Sequence, residues 1–200
     1  MTLTEPIAVT WLVVSSLESL GVPYLIGGSF ASALYGAIRT TMDVDLVADL
    51  RMAHVEPLVS ALGTAFYVDA EMIRQAIRHR SSFNMIHLET MFKVDVFIHK
   101  ERPFDRSQFE RRVPQSLAAE PECTAYFSTA EDTILAKLEW YRLGGEVSER
   151  QWRDVQKVLK AQSGRLELHY LRRWAVQLGV SELLERALGE AREPLRGDVV

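Results

Sequence analysis

The chain has 200 residues, of which 48% are hydrophobic and 25% are charged, a composition typical of a soluble globular protein with room for one sizeable core. The apolar stretch at residues 7–14 is too short to span a bilayer and no basic segment precedes it, so we expect a cytoplasmic protein with no membrane partner. The single cysteine, Cys123, excludes an intrachain disulfide and a cysteine-rich zinc site.

The chain opens with a pattern of helix, strand, glycine turn and helix. Apolar residues at helical spacing predict a helix over residues 6–20, and a short apolar strand follows at residues 22–26. This strand leads into Gly27-Gly28-Ser29, and residues 30–37 then predict a short second helix.

The segment Asp43-Val44-Asp45-Leu46-Val47 alternates polar and aliphatic residues, which predicts a strand with both aspartates on one side. Further helices are predicted at residues 54–62 and, capped by Asp69, up to residue 79. Strands are predicted at residues 66–68, 83–88 and 92–98, the last with Asp95 between apolar neighbours.

The pattern changes after residue 102. Three prolines predict an irregular connection over residues 103–128, with at most a short helix near 106–111 and one strand near Ala125. Four helices are then predicted, at residues 130–143, 149–161, 166–178 and 182–188.

These elements predict an α+β fold. A small mixed β-sheet with flanking helices would form a core over residues 1–102, followed by the irregular connection over 103–128, a C-terminal helical bundle over 129–191 and a tail at 192–200. We expect the bundle to form the other wall of a ligand cleft.

Asp43 and Asp45 supply the first chemical clue. Two carboxylates on one face of a strand repel each other and need a counter-charge, which a divalent cation supplies. Magnesium is the natural candidate because it takes hard oxygen ligands, and manganese is an alternative. Because Asp95 lies on a strand that can pair with this one, three carboxylates would bracket two ions about 4 Å apart.

The glycine turn fits the same chemistry. Gly27 and Gly28 let backbone N–H groups approach phosphate oxygens, and Ser29 can donate its hydroxyl. A nucleoside triphosphate held there and by the two ions would be open to attack at its α-phosphorus, with pyrophosphate as the leaving group.

The motifs resemble those of the DNA polymerase β-like nucleotidyltransferase superfamily. That signature is an apolar residue, Gly, then Gly or Ser, a gap, an Asp-apolar-Asp strand and a third carboxylate on a later strand. Ile26-Gly27-Gly28-Ser29, Asp43-Val44-Asp45-Leu46 and Asp95 match it in order.

Within that superfamily, the chain looks most like the abortive-infection (AbiEii-like) toxin-type nucleotidyltransferases of bacterial toxin–antitoxin systems. The stretches that carry this resemblance are Arg39-Thr40-Thr41-Met42-Asp43-Val44-Asp45-Leu46, Ser82-Phe83-Asn84, Phe92-Lys93-Val94-Asp95-Val96-Phe97, Glu131-Asp132-Thr133-Ile134-Leu135-Ala136-Lys137-Leu138 and Arg150-Gln151-Trp152-Arg153-Asp154-Val155.

The resemblance implies transfer of a nucleoside monophosphate from an NTP to a hydroxyl of a tRNA or protein, and a cognate antitoxin as a partner. It also implies that Gly28 and Ser29 bind the nucleotide phosphates, that the Asp-x-Asp pair binds both ions, that Asp95 binds the acceptor-side ion and that Lys137 reaches the triphosphate. A pair between Lys137 and Asp154 is the structural alternative for that lysine.

Several alternatives stay open at this point. The same chemistry would serve an antibiotic nucleotidyltransferase. A module that binds nucleotide or a partner protein without turnover is a further alternative, although the intact Asp43, Asp45 and Asp95 argue against it. The segment Gly27-Gly28-Ser29-Phe30-Ala31 also approximates a hydrolase nucleophile elbow, but no later histidine is suitably placed.

The formal net charge of -4 argues against indiscriminate polyanion binding. The basic residues between 150 and 173 indicate either a solvated helix face or a surface for RNA or another acidic acceptor.

Overall fold

The computed structural model describes residues 5–38, 41–118 and 123–192. The chain divides into two compact units, one from the described parts of residues 1–30 and 40–128, the other from those of residues 31–39 and 129–200. The predicted tail lies outside the described residues from position 193 onward. Among the helices described, none has both the length and the apolar character needed to cross a bilayer.

The first unit is built on a mixed sheet. Its strands are β1 (Tyr24–Ile26), β2 (Asp43–Ala48), β3 (Phe66–Tyr67), β4 (Ser82–His87), β5 (Lys93–Ile98), β6 (Val113–Ala118) and β7 (Cys123–Phe127). Within the described residues they lie in the order β3-β4-β5-β2-β1-β7-β6. The pairs β2–β5 and β1–β7 are parallel and the others are antiparallel, so the predicted mixed sheet is confirmed.

Helices flank this sheet. The helices up to the end of the first unit are α1 (Glu5–Ser19), α2 (Gly28–Leu34), which continues into the second unit, α3 (Val55–Leu62), α4 (Ala70–His79) and α5 (Pro103–Arg111). The predicted cap of α4 is confirmed, because the Asp69 carboxylate accepts the Met72 backbone N–H at 2.7 Å.

Alternation along β2 and β5 separates a core face from an open face. Val44, Leu46 and Ala48 are fully buried, while the residues between them are partly exposed. Strand β5 repeats the pattern, with Val94 and Val96 in the core. The polar residues of both strands therefore lie together on the open face.

Residues 103–118 are more regular than the sequence indicates. Helix α5 begins at Pro103, three residues before the predicted start, and β6 was not predicted at all. The prolines of this segment predict an irregular connection, and a proline such as Pro114 has no N–H to donate to a strand ladder. Among the described strands, β6 lies at the edge of the sheet and pairs with β7 alone, and an edge position accommodates such a proline.

The second unit is helical, as predicted. Its helices after residue 128 are α6 (Ala130–Leu143), α7 (Glu149–Ala161), α8 (Leu168–Leu178) and α9 (Ser181–Arg192), and α6 packs on the other three. Thr129 and Ser148 cap α6 and α7 through hydrogen bonds from the backbone N–H groups of Asp132 and Gln151. The α+β fold class is thus confirmed for both its sheet and its helices.

Candidate active site

The parallel pairing of β2 with β5 brings the predicted aspartates together. Asp45 is the direct partner of Asp95, and Asp43 is the direct partner of Lys93. Neighbouring strands lie about 4.8 Å apart and alternate residues share a face, so all four side chains stand on the open face of the sheet. We call Asp43, Asp45 and Asp95 the aspartate cluster.

Strand β4 continues this arrangement on the other side of Asp95. Asn84 is its direct antiparallel partner, which places Asn84, Asp95 and Asp45 in one row across three strands. Asn84 is half-buried and was not predicted as a site residue. Its place in the row depends on the register between β4 and β5, which the sequence pattern does not specify.

The Asp45 side chain occupies the space that a side chain at position 28 would fill, so this position requires the glycine, Gly28. Gly28 has φ +54°, and a Cβ built there would lie 2.6 Å from the Asp45 Cγ and 2.8 Å from its Cβ, overlapping the carboxylate. The adjacent Gly27 N–H donates to the Asp45 carbonyl at 2.9 Å. The glycine turn and the aspartate strand are therefore in direct contact, and the buried Ser29 follows immediately.

Asp43 and Asp95 each contact a side chain close to them in sequence. The Thr41 hydroxyl donates to Asp43 Oδ1 at 2.6 Å, and the Lys93 ammonium lies 2.7 Å from Asp95 Oδ2. The hydrogen bond to Asp95 and the negative charges of the three aspartates raise the pKa of Lys93 above its usual value, although partial burial opposes the shift. Lys93 therefore places a positive charge directly beside Asp95.

The aspartate cluster has the donors for a divalent cation. As the side chains stand, no three Asp, Glu, His or Cys residues in the described part of the chain are gathered tightly enough to hold an ion. The donor set nevertheless fits magnesium, because three carboxylates are hard oxygen ligands and Lys93 shows that a cation is accommodated beside Asp95. The space left by Gly28 keeps the Asp45 carboxylate on the same face.

Lys137 lies in the second unit and has a buried partner. Its ammonium is 2.9 Å from Asp154 Oδ2 and 3.1 Å from Gln151 Oε1, and the side chains of the lysine and the aspartate are 7% and 5% exposed. The pair between Lys137 and Asp154, which the sequence offered as the structural alternative to a phosphate contact, is therefore present. A contact between Lys137 and a triphosphate stays a prediction.

A second group of buried polar side chains surrounds the start of α6. Asp132 accepts hydrogen bonds from the Tyr170 hydroxyl at 2.7 Å and the Thr129 hydroxyl at 2.8 Å. Burial, with smaller contributions from the charges of Glu131 and Asp132, raises the pKa of Tyr35 to about 12. Carboxylates near the positive end of a helix are favourable, so these residues stabilise the second unit.

Helix α7 carries the first part of the basic stretch noted in the sequence. Four exposed residues recur along one face of α7, and we call them the basic face of α7: Arg150, Arg153, Lys157 and Lys160. Arg153 also contacts Glu149 at 3.3 Å, an exposed pair of small energetic weight. The opposite side of the helix is buried, so the basic residues point away from the core of this unit.

No protein-family model and no curated protein matches this sequence. Solved structures do match. The chain is similar to an antigenic nucleotidyltransferase-like protein from Paracoccidioides brasiliensis, with a TM-score of 0.53 and 18% identity over 94% of this chain and 94% of that chain.

The chain is also similar to the antibiotic-resistance factor ANT(2'')-Ia. Its solution structure matches with a TM-score of 0.56 and 11% identity over 92% of this chain and 99% of that chain. Its complex with adenylyl-2''-tobramycin matches with a TM-score of 0.54 and 10% identity over 92% and 98%. These likenesses show that the chain has the fold of these nucleotidyltransferase-like structures. The closer resemblance to toxin-type enzymes stays a prediction.

Proposed function

We propose that this protein is a metal-dependent nucleotidyltransferase that moves a nucleoside monophosphate from an NTP to an acceptor hydroxyl. The observation that carries the proposal is the direct pairing of Asp45 with Asp95, with Asp43 on the same face. The nucleotidyltransferase fold supports the same reaction class. A site for nucleotide binding alone would not need three carboxylates on one face.

Each part of the site has a role in this reaction. Two divalent ions, when bound, neutralise phosphate charge and lower the pKa of the attacking hydroxyl. Asp43 and Asp45 would hold both ions, and Asp95 would hold the one on the acceptor side. The backbone at Gly28 and the hydroxyl of Ser29 would hold the triphosphate.

The transfer is an in-line displacement. The hydroxyl oxygen of the acceptor forms a bond to the α-phosphorus, and the bond from that phosphorus to the bridging oxygen breaks. Pyrophosphate leaves with the electron pair, and the hydroxyl proton passes to a carboxylate of the aspartate cluster or to water. Positioning and charge neutralisation supply most of the rate enhancement.

For the acceptor we propose RNA, with tRNA as the first candidate. The basic face of α7 supports this choice, because exposed lysine and arginine side chains on one face of a helix can neutralise the phosphates of a nucleic acid. The net charge of the chain is -4, so the positive charge of the basic face of α7 is a local feature within a chain that is negative overall. The resemblance to toxin-type enzymes suggests growth inhibition as the cellular effect and an antitoxin as partner.

The reaction is tested with NTPs labelled at the α-phosphate. Each of the four NTPs is incubated with the protein and Mg²⁺, and in turn with total tRNA, cell protein or aminoglycosides. We expect label in the tRNA and release of pyrophosphate. Label in an aminoglycoside would instead identify an antibiotic nucleotidyltransferase, and one structural neighbour is a complex with adenylyl-2''-tobramycin. Nucleotide binding without transfer to any pool would identify a binding module.

Asp95→Asn should lower the transfer rate about 10³-fold, because it removes a carboxylate that holds a cation in the transition state. Asp49→Asn is a matched control, since Asp49 directly follows β2 on the same face but pairs with Arg51 away from the aspartate cluster. Its rate should stay within about twofold of wild type. Equal rates for the two variants would contradict the assignment of Asp95.

RNA binding tests the basic face of α7. The double variant Lys157→Ala/Lys160→Ala should bind tRNA about tenfold more weakly, and the slope of log K against log salt should fall by about 1.4, which is 0.7 for each lost phosphate contact. The measurement is a filter-binding titration at several salt concentrations.

Lys100→Ala/Arg106→Ala is the control for this titration, because it removes the same charge from exposed positions in the first unit. We expect its salt slope to equal that of wild type. The same loss of slope in both double variants would show a general charge effect, with no binding face on α7.

A further inference from the structure

The open face of the sheet places a positive charge beside the aspartate cluster. The aspartate cluster carries three negative charges when ionised, and Lys93 contributes one positive charge from the position opposite Asp43. In the metal-free protein, Lys93 thus neutralises part of the negative charge that a bound divalent cation would otherwise neutralise.

The ion pair between Lys93 and Asp95 is short, and it is also accessible to solvent. Its ammonium lies 2.7 Å from Asp95 Oδ2, a distance typical of a charge-assisted hydrogen bond. The Lys93 side chain is 43% exposed, so water screens the pair and the ammonium has a path to solvent. The oxygen that it occupies belongs to the carboxylate proposed for the acceptor-side ion.

We propose that Lys93 is a resident counter-ion that holds Asp95 in the metal-free protein, gives way to the incoming divalent ion and then faces the nucleotide phosphates. The inference rests on the proposed function and adds a positioning residue to that site. Lys93 and Asp95 are two residues apart on one strand face, so the released ammonium stays on the open face.

The proposal predicts opposite effects on two affinities. Lys93→Met should bind Mn²⁺ alone about tenfold more tightly, the change expected for removing a unit charge about 6 Å from a divalent ion at the dielectric constant of water. The same variant should bind the Mn²⁺ complex of a non-hydrolysable NTP analogue several-fold more weakly, because a phosphate counter-charge is lost. Lys93→Arg keeps the charge and should resemble wild type in both measurements.

The test is a titration of the full chain with Mn²⁺, followed by electron paramagnetic resonance of the free ion, without nucleotide and then with the analogue. Lys100→Met is the matched control, because it removes the same charge from an exposed lysine just beyond β5. We expect less than a twofold change there. Thermal unfolding of each variant shows that it is folded.

The outcomes separate this inference from the proposed function. Tighter Mn²⁺ binding by Lys93→Met, with Lys93→Arg and Lys100→Met unchanged, supports the counter-ion. In a second outcome, wild type binds Mn²⁺ and Asp45→Asn does not, but Lys93→Met binds the ion no more tightly than wild type. The counter-ion role of Lys93 would then be wrong, while the proposed metal site would be supported. If wild type binds no Mn²⁺ with or without the analogue, both proposals are overturned.

Discussion

Gly28→Ala is expected to reduce nucleotide transfer at least about 100-fold, because displacement of a catalytic group by about 1 Å has an effect of that size. The new Cβ would overlap the Asp45 carboxylate, and the positive φ of +54° disfavours alanine independently. Asp45 must therefore leave its place opposite Asp95 or the glycine turn must shift. The strained backbone alone should cost about 1–3 kcal/mol of unfolding free energy. Initial rates with labelled NTP and urea unfolding measure the two effects.

Gly27→Ala is the matched control for the unfolding measurement. A Cβ at Gly27 meets no atom within 4 Å, and Gly27 is not among the residues with positive φ. We expect its stability to stay within about 0.5 kcal/mol of wild type. If Gly28→Ala were as stable as Gly27→Ala and also transferred nucleotide at the wild-type rate, the proposed contact between the glycine turn and Asp45 would be wrong.

Lys137→Met is expected to destabilise the protein by about 3–5 kcal/mol, the usual cost of removing one partner of a buried ion pair. The loss arises because the Asp154 carboxylate, 5% exposed, would keep its charge without the ammonium 2.9 Å away. Urea unfolding followed by circular dichroism measures the change. Lys157→Met, an exposed lysine on α7, is the control and should change stability by less than about 0.5 kcal/mol.

The double variant Lys137→Met/Asp154→Leu separates the two roles of Lys137. Replacing both charges by apolar side chains of similar size should recover most of the stability, since no buried charge is left unpaired. If this folded variant transfers nucleotide at the wild-type rate, Lys137 does not contact the triphosphate. A rate at least about tenfold lower in a stable double variant would support the contact implied by the resemblance.

The sequence predicted the aspartate strand well because its signal is local. Alternation of Asp43 and Asp45 with aliphatic residues is enough to put both on one face of β2, and the same pattern located Asp95 on β5. Most helix and strand positions were also predicted to within a few residues, from helical spacing, caps and glycine stops.

The contacts of the site were harder to predict because they depend on strand pairing. Lys93 lies in one of the stretches that resemble the toxin-type enzymes, but its role could not be predicted, since only the β2–β5 register places it opposite Asp43. Gly28 was predicted to line a phosphate site, whereas the structure adds the close approach of the Asp45 side chain. Strand β6 was missed because Pro114 is acceptable only at a sheet edge, and edge positions follow from the topology.

Anomalous diffraction from crystals grown with Mn²⁺ and a non-hydrolysable NTP analogue tests the two-ion arrangement most directly. We predict two manganese peaks about 4 Å apart, both in contact with Asp43 and Asp45 and one of them also in contact with Asp95. The Lys93 ammonium should then have left Asp95. A bound nucleotide with no manganese at Asp95, or with the ions held by other side chains, would contradict the proposed mechanism.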